Sequence, residues 1–381
     1  MRCIEHHEAS LKPIHVEHPL RVATQPVLLR YLRLRDIAEK LISGRFCVTT
    51  LNSHVFVFDS KNAHAQKNTL IGIAVSDDFI VIGDRGLAEC IHDAGRPPQP
   101  ETLTDGRFIY VYRDGHQITI NVDPMGQDTV FYYIDPSPTK HETRYWAISN
   151  SLYALAQHVS KQRPLEFYRP PISALQINNG RGYGAQLVSN NTPIEHMRLL
   201  GINEYIYVDL KKGALEIRKK SCGYTGSARE SSYREQLEEF IACAAANVAA
   251  LVDHGAFANL ICDVSGGYDS RFNFGLIKAL GLTGRVRFQS DTKKTDDLRI
   301  VNLLRRFYNF EMDNRIVRTA HLEPQLSYDL WLYANAGVYL PSRVSYGYQQ
   351  GMLRITGGNF LTKKFGALPF RKRMRTFARF F

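Results

Sequence analysis

At 381 residues the chain is too long for one small core and suits two domains of ordinary size. With 44% hydrophobic and 22% charged residues, 27 Gly and 16 Pro, its composition excludes wholesale disorder, collagen-like repeats and coiled coil. A formal charge of +11 suggests an anionic partner such as nucleic acid, a membrane surface or a nucleotide, and its meaning depends on where the charge lies.

In chain order, the first stretch, MRCIEHHEASLKP, has no apolar core of a secretory signal, and no run of 18 apolar residues follows anywhere. A cytoplasmic protein with no membrane partner is expected. Leu34 to Ile42 has the apolar spacing of a short helix that Gly44 would end. From Phe46 to Tyr133 the chain alternates in short β-type runs (RFCVTT, HVFVFDS, TLIGIAV, FIVIGD, RFIYVYRDG, QITINVD, TVFYYI), and Arg113-Asp114-Gly115 reads as a hairpin turn. Residues 160 to 195 are rich in Pro, Asn and Gly, the polar stretch INNGRGYGAQLVSNN within them reads as loop, and a second hairpin is expected over 204 to 219. After a boundary near 221 to 230 the pattern becomes helical: Ser231 to Val252 carries Leu237, Phe240, Ile241, Ala244 and Val248 on one face, with Ser231 or Ser232 as N-cap. ANLICDV, SGGYDS, RFNFGLIKALG and RVRFQS then spell strand, turn, helix and strand, which predicts a parallel sheet. A helix over Asp296 to Phe307 and a strand at NRIVRTA continue it. The end of the chain is basic: Lys363, Lys364, Arg371, Lys372, Arg373, Arg375 and Arg379 stand among five Phe with no Asp or Glu, leaving a net +4 for the other 362 residues. That run reads as an end whose partner surface is missing, ahead of a nucleic-acid contact. The six Cys are scattered, without zinc spacing, and read as reduced thiols.

Chemistry concentrates at Val264-Ser265-Gly266-Gly267-Tyr268-Asp269-Ser270. Two glycines let the backbone approach a phosphate closely, while Ser265, Ser270 and the first N–H groups of the next helix offer donors to anionic oxygens. Asp269 suits a Mg²⁺ that offsets the charge on those oxygens. The loop is not a Walker A, because no Lys-Ser/Thr follows the glycines.

SGGxDS between strand and helix resembles the signature of the PP-loop ATP pyrophosphatases, and other stretches are similar to asparagine synthetases and their β-lactam synthetase and lasso-peptide cyclase relatives. Gly106-Arg107-Phe108, Asp123-Pro124-Met125-Gly126 before Phe131-Tyr132-Tyr133, Ala147 to Leu155, and TPIEHMRLLGINEYIYVDL follow the family's order from about 70 to 360. The resemblance implies an α+β glutaminase-like domain over 1–222, an αββα sandwich of the N-terminal-nucleophile type. An α/β parallel-sheet PP-loop domain, shortened at its C-terminus, would follow over 226–381. It implies an ATP-dependent ligase: a carboxylate is adenylated with release of pyrophosphate, and ammonia or an amine then displaces AMP. By that likeness Ser265, Gly266, Gly267, Tyr268, Asp269 and Ser270 hold the pyrophosphate of ATP, with Asp269, Ser265 and Ser270 catalytic and Asp269 the Mg²⁺ ligand. Val264, Gln289 and Ser290 would lie near adenosine, Gly357 and Gly358 in the later Gly-rich loop. Asp296 and Asp297 match the family's acidic pair or simply cap a helix.

The chain departs from the family at three places. Arg2 stands where glutamine hydrolysis needs a Cys with a free α-amine, so no glutaminase activity is expected from Cys3 or Cys47. Ile82-Gly83-Asp84-Arg85-Gly86 replaces a glutamine-gripping segment. Ile355-Thr356-Gly357-Gly358-Asn359 lacks the family's acidic pair, and the sequence stops at Phe381, so a partner chain that completes the domain is one expectation. The expected partners are small-molecule or peptide carboxylates and amines, not nucleic acid. Two other readings stay open: a non-catalytic relative that binds nucleotide or a partner protein, and a PP-loop enzyme that modifies tRNA.

Overall fold

A computed structural model describes residues 55–76, 79–136, 144–173, 189–220, 232–290, 295–312, 332–333 and 352–356. The expected helix at 34–42, the RFCVTT and NRIVRTA strands, the boundary at 221–230, Cys3, Cys47, Gly357, Gly358 and the basic end lie outside these residues. The described part is mixed α/β.

Its first half is built on β4 (Asp105–Asp114) and β5 (Gln117–Val122), joined through Gly115 at φ 54° as the hairpin reading anticipated. Around them a six-stranded antiparallel sheet runs in the order β10 (Ala214–Lys219), β9 (Glu204–Asp209), β5, β4, β2 (Thr69–Val75), β3 (Ile80–Ile82). A four-stranded sheet has the order β1 (Val57–Asp59), β7 (Trp146–Ser149), β6 (Phe131–Ile134), β8 (Met197–Leu199).

Alternation along the strands decides the layering. Ile109, Val111, Ile118, Ile120, Ile206 and Val208 of the larger sheet pack against Phe58, Tyr132, Trp146 and Ile148 of the smaller, forming a core between the sheets. Phe108, Tyr110 and Tyr112 point the other way, onto Leu87 of helix α1 (Gly83–Ala94). Phe131, Tyr133 and Ala147 face Leu152, Leu155, Ala156 and Val159 of helix α2 (Leu152–Val159). The layers therefore run helix, sheet, sheet, helix. Ser151 starts α2 by accepting the Ala154 N–H at 3.3 Å. Leu332 and Tyr333, from far along the chain, are buried in the same core as α2.

The second half holds a parallel sheet in the order β12 (Arg287–Gln289), β11 (Asn259–Asp263), β13 (Met352–Ile355), with helix α4 (Tyr268–Ala279) between β11 and β12. Helix α3 (Tyr233–Asp253) precedes it and α5 (Thr295–Tyr308) follows. Cys262, Val264, Phe274, Ile277, Phe288, Val301 and Phe310 form its core. Ser232 and Glu235 close a capping box at the start of α3, so the N-cap reading is met at Ser232. Two expectations change. The stretch from Gly83 to Gly86 opens helix α1, and α4 starts three residues before the expected helix, so Tyr268, Asp269 and Ser270 are its first turn. Among the described residues no helix is long and apolar enough to cross a membrane.

Candidate functional site

The Gly-rich loop leaves the middle strand of the parallel sheet at its C-terminal end, the edge where open α/β sheets bind ligands. Val264 prolongs β11 by donating its N–H to the Gln289 carbonyl at 2.8 Å, and its side chain is buried. The chain then turns through Ser265 and Gly266 to Gly267, the N-cap of α4. Gly267 has no side chain to cap with, and the N–H groups of Tyr268, Asp269 and Ser270 carry no acceptor among the described residues. Three donors converge there at the positive end of a 12-residue helix, which is an anion-binding arrangement.

The two serines staple the loop to itself. The Ser265 and Ser270 hydroxyls lie 2.7 Å apart; Ser265 N–H donates to Ser270 Oγ at 3.0 Å and Gly267 N–H to Ser265 Oγ at 3.1 Å. Ser270 also reaches the Gly267 carbonyl at 3.2 Å and is buried. These hydroxyls therefore shape the backbone nest in which the glycine N–H groups sit.

Asp297, in the first turn of α5, accepts the Gly266 N–H at Oδ1, 2.9 Å away. A Cβ at Gly266 would stand 2.7 Å from Ile300 Cδ1 and 2.9 Å from that same oxygen, so a side chain there would have to push the Ile300 tip and the Asp297 carboxylate aside. The acidic pair is thus split: Asp297 holds the loop while Asp296 is exposed. Asp269 is half-buried and has no hydrogen-bond or ion-pair partner among the described residues. Tyr268 points outward, 85% exposed, with the Arg271 guanidinium 4.8 Å from its ring. Arg271 Nε also donates to the Gly267 carbonyl at 3.3 Å, which puts a cation at the loop's mouth.

Behind the loop, Asp263 ties the three strands together. Gln289 Nε2 donates to its Oδ1 at 2.8 Å, and Arg354 approaches both its oxygens, Nε at 3.1 and 3.0 Å and Nη2 at 2.9 Å. The Gln289 side chain is thereby turned toward β11. Ser290 is buried and its Oγ finds no partner among the described residues, an orphaned hydroxyl one residue past β12. Cys262 is no nucleophile: burial first, then the neighbouring Asp263 charge, pushes its thiol up to about 12.

Seven consecutive expected residues, 264–270, therefore meet in one loop, with Gln289 and Ser290 on the adjacent strand end. Asp297 in its holding role, Arg271, and the Asp263–Arg354 clamp were missed. The acidic pair signalled the first; no local pattern signals a strand-to-strand ion pair 91 residues apart. Among the described residues no group of three or more His, Cys, Asp or Glu is placed to hold a metal ion. Mg²⁺ asks less of a protein than that, since waters and phosphate oxygens fill most of its shell. No protein-family model matches the chain, and no curated protein matches it.

Proposed function

We propose that the chain is an asparagine-synthetase-like, ATP-dependent carbon–nitrogen ligase without glutamine hydrolysis, its first half a degenerate glutaminase-like sandwich and its second a PP-loop domain. The observation that carries this reading is the uncapped first turn of α4 behind Gly266-Gly267, at the C-terminal edge of a parallel sheet. Bound ATP would supply an α-phosphorus to a carboxylate, making AMP the leaving group for an incoming amine. The chain's own part is to hold and neutralise: the N–H groups of residues 268–270 take pyrophosphate oxygens, and Arg271 adds a positive charge. Asp269, unpaired among the described residues, is available to a Mg²⁺ on the same oxygens. The buried, unpartnered Ser290 hydroxyl fits a polar ligand atom on the adenosine side.

One observation favours a second reading, the non-catalytic nucleotide binder. The Ser265–Ser270 pair and the Asp297–Gly266 bond already satisfy much of the loop internally, so it holds its shape without a ligand.

Calorimetry with Mg²⁺-ATP and pyrophosphate exchange over a panel of carboxylates separate the two. The expected result is ATP binding, exchange with at least one carboxylate, and a loss of affinity of about tenfold or more in Asp269→Ala, about 1.4 kcal/mol. Binding without exchange supports the second reading. No binding of ATP or pyrophosphate overturns both.

A further inference from the structure

Strand β10 is one edge of the six-stranded sheet. It holds six residues, whereas the other edge strands described, β1, β3, β8, β12 and β13, have three or four. Its bonds to β9 decide which backbone groups face outward. Lys220 N–H donates to the Asn203 carbonyl at 2.8 Å, and on the far side of β9 Leu210 N–H donates to the His116 carbonyl at 2.8 Å. Alternation then turns the backbone groups of Ala214, Glu216 and Arg218 toward β9, and those of Leu215, Ile217 and Lys219 away from it. The outward N–H and C=O groups have no partner among the described residues. The strand contains no Pro, and its pairing with β9 runs without a bulge, so the edge is a ready template for another strand.

Both faces of β10 are unfinished. Leu215 and Ile217 turn toward the core between the sheets but are only half-buried. On the other face Arg218 Nε and Nη2 reach Glu216 Oε2 at 2.9 and 2.7 Å, and the guanidinium lies 3.4 Å from the centre of the Tyr207 ring. Glu216 Oε1 has no partner among the described residues, and Glu216 is exposed. Trp146 Nε1 donates to the Gly213 carbonyl at 2.9 Å and so pins the β9–β10 turn to the smaller sheet.

We propose that β10 is a dimerisation edge, which pairs antiparallel with β10 of a second copy about a two-fold axis at Ile217. Charge selects both the occupant and the register. With the axis at Ile217, Glu216 stands opposite the partner's Arg218 and Arg218 opposite the partner's Glu216, in the closely spaced pairs of the ladder where side chains meet. Each guanidinium then lies between two carboxylates. The outward groups of Leu215, Ile217 and Lys219 meet those of the partner's Lys219, Ile217 and Leu215, so every one is satisfied. Moving the axis by one residue sets Glu216 against the partner's Glu216, or Arg218 against the partner's Arg218, and both clash. On the core side Ile217 covers the partner's Ile217, and the Lys219 stem lies along the partner's Leu215. The two six-stranded sheets become one continuous sheet.

The test is sedimentation of the full chain over a range of concentrations, which should show a dimer. Glu216→Arg and Arg218→Glu each place like charges across the axis and should weaken it about tenfold or more. Mixed together, these two variants should form a heterodimer, since each supplies the charge that the other lacks. The double swap Glu216→Arg, Arg218→Glu should dimerise with itself. A pair that acts only within one strand gives no such rescue. Hydrogen exchange in the unmodified chain is a second readout, in which the Leu215, Ile217 and Lys219 amides should slow as the dimer fills. A chain that stays monomeric, a dimer indifferent to both single variants, single variants that remain apart when mixed, or edge amides that exchange equally fast in monomer and dimer each overturns the proposal.

Discussion

Asp59 is a buried carboxylate at the end of β1 that accepts from the Lys61 and Asn62 N–H groups at 2.9 and 3.1 Å, from His158 Nε2 at 2.8 Å and from the Tyr145 hydroxyl at 3.3 Å. Burial pushes its carboxyl up. The bonds from His158 and the two backbone groups, with the His158 charge, outweigh that and hold it below the ordinary carboxylate range. Asp59→Asn puts two N–H donors among groups that already donate and should cost about 2–4 kcal/mol in urea unfolding at neutral pH. The sign with pH follows from the lowered value. The ionised carboxylate contributes its full stability above the unfolded Asp value of about 3.9 and loses it as pH falls through the folded value. The gap between wild type and variant should therefore close in acid, below about pH 4. Asp297 makes a different prediction at the same scale. Its carboxylate occupies the Gly266 N–H, a position that suits an anionic oxygen, so without a metal it repels a second anion there. Asp297→Asn should bind Mg²⁺-free pyrophosphate about tenfold more tightly; unchanged affinity in titration would reduce Asp297 to a structural cap.

At the scale of elements, β2 and β4 run side by side with a glycine in each whose φ is positive, +95° at Gly72 and +116° at Gly106. A Cβ would lie 2.1 Å from the Arg107 carbonyl oxygen at the first and 2.2 Å from that of Ile73 at the second. Both contacts are with backbone in a paired strand, which cannot step aside. Gly106→Ala should cost about 2–4 kcal/mol in chemical unfolding. Gly115→Asn, in the open turn at φ +54°, should cost less than about 1 kcal/mol. The Gly-x-Phe pattern seen in the sequence thus has a steric basis at its glycine. The two hairpins and the β11–α4–β12 unit were readable because alternation and turn residues are local signals, and the loop at 264–270 because its chemistry is contiguous. Helix α1 was not. Its glycines at 83 and 86 argue against a helix, and only Leu87 is buried, so it forms because β2 and β4 offer it a surface. The exposure of Leu237, Phe240 and Ile241 on α3 was equally hidden, since periodicity says which residues share a side and not whether anything covers them.

For the whole molecule, the charge of +11 resolves into a nearly balanced body and a basic end. The two halves are also joined by more than the chain between them. Asn247 of α3 donates to Asp105 at the start of β4, 2.6 Å away, and Tyr333 packs edge-on against Tyr153 of α2 with centroids 5.0 Å apart. Of the two, the ring contact dominates: the Asn247–Asp105 bond is exposed and competes with water, whereas Tyr333 and its neighbour Leu332 are buried in the core beneath the smaller sheet. A residue that follows the parallel sheet's first strands in sequence thus completes a core of the antiparallel half. Tyr333→Ala should leave a cavity there and cost about 3–5 kcal/mol, the usual range for a buried aromatic. Hydrogen exchange locates the loss. Amides of α2 and β7 should exchange markedly faster in the variant, while those of β11 and α4 change little, since their core of Cys262, Phe274 and Phe288 is untouched. Unchanged exchange in α2 would mean that Tyr333 rests on the sandwich without supporting it, leaving the exposed Asn247–Asp105 bond as the other contact named between the halves.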